Sequence, residues 1–187
     1  MSTSFSYFEA EDRLLMIVQP GSHKLWLTRR LVQAIVRDVA AIFAKQVPGE
    51  GIPGAGSQAE RIALEHQMAM NGEDLSPSDA GVSPLQFSNK APPHASDSGT
   101  PLCTGLDAKA GKDYASIGFV IGDATLNIKL SRAGFHRLLR GVVMCGQQAG
   151  WMLQDVPPWL TQSLLGDLLG TLPTLDPEAD GESEPDE

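Results

Sequence analysis

Hydrophobic and polar positions along LMIVQPGSHKLWLT alternate around a polar turn, which predicts two strands of a hairpin. After Thr28 the period changes. Apolar residues recur at Val32, Ile35, Val36, Val39 and Ala40, the spacing that lines one face of an α-helix. Thr28 offers a hydroxyl to cap the first turn, and Pro48 with Gly49 ends the run, so a helix is predicted from Arg29 to about Gln46.

The same pattern returns 103 positions later. Residues 15–40 and 118–143 align without a gap, with low identity but matching physical type. Met16, Ile17 and Val18 fall on Phe119, Val120 and Ile121, and Leu25 and Leu27 fall on Ile128 and Leu130. The cap Thr28 falls on Ser131, and the helical apolar set falls on Phe135, Leu138, Leu139, Val142 and Val143. The second helix is predicted from Arg132 to Ala149, with Gly150 as its stop. A single hairpin with one helix buries too little to stand alone. The expected fold is therefore α+β: an antiparallel sheet from two pseudo-symmetric hairpin-helix units, about 13–47 and 114–150, with the helices packed on one face.

Between the units, PGEGIPGAG reads as a break, and Ser57 or Gln58 opens a helical stretch to about Met70, closed by Asn71-Gly72. Of the 30 residues from Gly72 to Pro101, 14 are Gly, Pro or Ser, which reads as a flexible segment. A short strand is expected near Leu102 to Ala108, and Tyr114 opens the next. After the second helix, Pro157-Pro158 makes a turn before a last helix carrying Leu160, Leu164, Leu165, Leu168 and Leu169, expected to close the core. One domain over 1–170 and a disordered acidic tail over 171–187 follow.

Charge sharpens this division. The chain has 187 residues and a net charge of −9, yet residues 1–47 carry six Lys/Arg against four Asp/Glu, and residues 101–170 carry six against five. The acidity sits in residues 48–100, with two basic and seven acidic groups, and in 171–187, with seven acidic groups alone. Weakly charged folded parts disfavour a nucleic-acid partner. No apolar run reaches the ~20 residues of a bilayer span, and no signal-peptide pattern opens the chain, so a cytoplasmic location is expected, and a bacterial source with it.

The candidate chemistry is sparse. Glu65-His66 lacks the second His one turn along that a zinc motif needs. His23, His66, His94 and His136 read as surface residues, with His136 on the polar side of its helix, and no metal site or cofactor is expected. Cys145 reads as a buried apolar position and Cys103 as a more exposed one. No catalytic residue and no small-molecule substrate are indicated. The expected role is a non-enzymatic protein-interaction factor, an adaptor, chaperone-like factor or accessory subunit, whose partner is another protein or a second copy bound through a sheet face or the Leu stripe of the C-terminal helix. If Leu25 and Leu27 face the helices, the opposite sheet face carries Met16, Val18, Trp26, Phe119, Ile121 and Lys129, the candidate partner-binding set. A second reading uses Arg29, Arg30 and Arg132 at two helix N-termini to bind an anion or nucleic-acid backbone, with the acidic tail as internal competitor.

Overall fold

The computed structural model describes residues 2–48, 56–71 and 99–161. The acidic tail, His94, most of the Gly/Pro/Ser-rich segment and the Leu164 to Leu169 stripe lie outside the described residues.

The fold is α+β, with two three-stranded antiparallel sheets and four helices among the described residues. The first unit runs β1 (Ser2–Phe8), a 3-10 turn (Glu9–Glu11), β2 (Arg13–Gln19) and β3 (His23–Thr28). It ends in a helix, α1, over residues 29–45: Arg29–Ala34, a π-helical stretch Ile35–Val39, then Ala40–Lys45. Helix α2 (Gln58–Met70) follows, then the second unit: β4 (Gly105–Ala110), β5 (Tyr114–Ile121), β6 (Ala124–Ser131) and α3 (Arg132–Gln148), with α4 (Pro158–Thr161) last.

The repeated sequence is a repeated structure. The Thr28 side chain accepts from the Leu31 N–H, and Ser131 accepts from the Gly134 N–H. All ten apolar helix positions read from the repeat are buried. Gly150 stops α3 at φ +68°. Helix α2 begins with a capping box in which Ser57 and Glu60 satisfy each other's backbone groups. The duplication also extends further back than the sequence pattern indicated. Strand β1 was not anticipated, yet it sits 103 residues before β4 and pairs with β2 as β4 pairs with β5. Its signal was the alternation of Ser2, Ser4 and Ser6 with Phe5 and Tyr7.

One strand is out of step with the gapless alignment. Arg13 pairs with Thr28, and Tyr114 pairs with Ser131, so the middle strands correspond at an offset of 101 while the outer strands and helices keep 103. Ala115, Ile117 and Phe119 therefore stand where Leu14, Met16 and Val18 stand. The slip is even, so each side chain keeps its face.

The sheets meet where Leu102 bridges Trp26 in parallel fashion, with Trp26 N–H on the Pro101 carbonyl (2.8 Å) and Cys103 N–H on the Trp26 carbonyl (2.9 Å). Each unit's helix reaches across to the other's first strand, α1 to β4 and α3 to β1. This reciprocal crossing makes one interior out of both units. Helix α3 is its axis, with eleven buried residues on nearly all sides.

Candidate functional site

Register decides which side chains face away from the helices. Leu14 pairs with Leu27 and Met16 with Leu25, and all four are fully buried, so β2 sends Leu14, Met16 and Val18 into the core. Phe119, opposite Leu126, faces inward too and is fully buried. The assignment of Met16, Val18 and Phe119 to the outer face is corrected accordingly. That assignment grouped Leu15 and Ile17 with Leu25 and Leu27, whereas the four-residue connection from Val18 to His23 pairs the other parity. Ile121 is half-buried against the core.

Trp26 and Lys129 do lie on the outer face. Trp26 is nearly covered, with Leu15 opposite it and the Phe8 ring edge-on at 4.7 Å. Ile17 continues this strip along β2, and Leu102, beside Trp26 at the seam, is 37% exposed. Lys129 is exposed on the second sheet, its ammonium 4.5 Å from the Tyr114 ring. The outer face of the second sheet also carries Asp107, Lys109, Ser116 and Asn127, with Val120 as an apolar member. At the end of the seam, an open cleft of about 450 Å³ is lined by His23, Lys24, Thr100, Pro101, Ile121 and Leu126, among others.

The arginines meet different fates. Arg29 is exposed and reaches the Asp12 carboxylate at 3.1 Å, which also accepts from Trp151 Nε1 (2.6 Å) and Tyr7 OH (3.1 Å). Arg30 is exposed. Arg132 is buried, and its donors are committed: two to Glu65 in a bidentate pair, and others to the carbonyls of Gly111 (2.9 Å) and Gln46 (3.3 Å). The Phe43 ring lies 4.1 Å from its guanidinium carbon. An anion site that includes Arg132 is thus corrected, because Glu65 already holds the guanidinium.

Around this pair lies a cluster that the linear sequence did not reveal. His66, beside Glu65 on α2, and His136, one turn after Arg132 on α3, are buried, with their Nδ1 atoms 3.1 Å apart. The expectation of surface histidines is corrected for both; His23 is exposed. His136 Nε2 lies 3.3 Å from Glu65 Oε2, within ion-pair range but off the hydrogen-bonding direction. Phe43 and Trp159 wall the cluster, the Trp159 ring 5.4 Å from each imidazole. Burial pushes the Glu65 carboxyl up, but hydrogen bonding from Arg132 and the nearby His136 outweigh it and hold it at about 2. Burial, with His136 and Arg140 nearby, lowers His66 to about 3, and burial likewise lowers His136. The available sequence signal was Arg132 itself, a cation in a first helical turn, where the helix dipole disfavours it unless an acid answers.

Cys103 and Cys145 are both free thiols and both buried, so the more exposed setting expected for Cys103 is corrected: its Sγ lies 3.2 Å from the Gly105 carbonyl. Among the described residues no three His, Cys, Asp or Glu side chains converge as a metal ion requires, and no helix is long and apolar enough to cross a membrane. No protein-family model, curated protein or solved structure matches the chain.

Proposed function

We propose that this chain is a non-enzymatic protein-interaction factor, an adaptor, chaperone-like factor or accessory subunit, that docks another protein or a second copy of itself at the seam between its two sheets. The observation that carries the reading is the apolar strip of Phe8, Leu15, Ile17, Trp26 and Leu102 on the face turned from the helices. Leu102 is its exposed end. Trp26 and Leu15 form the covered floor of this strip, and the surface left to a partner is that of Leu102, Ile17 and Phe8, with Lys24 and Lys129 on the outer sheet faces. A cytoplasmic location belongs to the same proposal, supported by two thiols kept unpaired inside the core.

Leu102→Glu tests the reading, because it charges the strip without opening the core. The native-host protein is expected to elute with one stoichiometric partner chain or as a dimer. The L102E variant is expected to lose that species while melting at the same temperature. A wild-type protein that is strictly monomeric and brings no stoichiometric partner overturns the proposal.

A further inference from the structure

Helix α2 lies outside the duplicated units and is held to them differently. Its buried residues are Ile62, His66 and Ala69, against eleven in α3. A 13-residue helix is marginal in isolation, and one Ile with one Ala supplies modest apolar burial. Its docking therefore rests on polar contacts with α3: Glu65 on Arg132, His66 on His136, and the Ala69 carbonyl accepting from Arg137 Nε at 3.0 Å. Gln58 adds a hydrogen bond to the Ala44 carbonyl of α1.

We propose that α2 is a proton-released latch, in which the His66–His136 contact holds the helix on α3 at neutral pH and lets it lift away in acid. The geometry supplies the mechanism. With both imidazoles neutral, one Nδ1 carries a hydrogen and the other accepts it across the 3.1 Å contact. A first added proton enters at the free Nε2 of the donating ring and leaves this hydrogen bond in place. A second sets two N–H hydrogens against each other across 3.1 Å, in a site already holding Arg132 and facing Arg140. The charged groups facing the pair are Glu65 from α2, and Arg132 and Arg140 from α3; α1 and α4 contribute the uncharged rings of Phe43 and Trp159. The docked pair therefore binds at least one proton fewer than two free imidazoles. Release would uncover the Trp159 ring, which packs edge-on against His66 at 5.4 Å.

Hydrogen exchange of the full chain tests it, with rates corrected for the intrinsic effect of pH. One proton taken up on release, with a free imidazole at about 6.5, raises the opening of α2 about 25-fold between pH 7 and pH 5. The β5 amides exchange through global unfolding and are expected to stay more protected than those of α2 at both pH values. His66→Gln, which keeps a donor but does not titrate, is expected to flatten the pH dependence of α2 whatever it does to absolute protection, and His136→Gln serves as a second variant. Protection of α2 that does not change with pH overturns the latch. So does α2 exchanging only at the opening free energy of β5, or an unchanged pH dependence in both variants.

Discussion

Replacing Glu65 by Ala removes the only carboxylate that faces the Arg132 guanidinium among the described residues. The pair is well withdrawn from water, the Arg132 side chain being 7% exposed and that of Glu65 17%. Breaking one half of a buried ion pair typically costs ~3–5 kcal/mol, because the remaining charge is left uncompensated. Arg132 would retain two carbonyl acceptors and the Phe43 face. Those contacts place the expected loss at the lower end, about 3 kcal/mol. With a urea slope of about 2 kcal/mol/M, the unfolding midpoint falls by about 1.5 M at constant slope. Asp38→Ala provides the contrast, since the Arg37–Asp38 pair is about half exposed on both sides and should contribute under ~1 kcal/mol. Substituting Met at both 65 and 132 should cost less than Glu65→Met alone, because no orphan charge remains. The reasoning fails if E65A shifts the midpoint no further than D38A does.

Three further outcomes follow from burial in the core. His66 is held near 3 when folded, against about 6.5 when freed, so its proton is taken up only where α2 has left α3, as it has in the unfolded chain; stability against unfolding drops by about 2 kcal/mol between pH 7 and 5 from this residue alone, and urea midpoints that stay constant over this range refute it. Glu65, depressed to about 2, stabilises above about 4.5 and loses that contribution only between 4.5 and 2. Burial raises Cys145 to about 11 and also raises Cys103, so a thiol reagent at pH 8 should label neither until urea unfolds the chain; prompt labelling of the native protein contradicts their placement.

The helices were legible because their signals are local. A cap, an apolar spacing and a stop lie within about twenty residues, and Thr28, Ser131, Ser57 and Gly150 all act where the sequence placed them. The strands were harder. A gapless comparison cannot register a first hairpin connection that is two residues longer in one unit when the second compensates. The outer face was misread for a related reason: in a strand with apolar residues on both sides, composition does not choose between Leu15 and Met16 as the inward residue.

What the sequence determined by itself was a duplicated α+β module, since period, caps and turns are encoded in neighbouring residues. Only the tertiary structure decided what those modules hold between them. Glu65 and Arg132 are 67 positions apart and His66 and His136 are 70, and only the packing of α2 on α3 brings them into contact. The same packing removes them from water, and desolvation, not residue type, turns four ordinary polar side chains into a coupled, proton-sensitive joint.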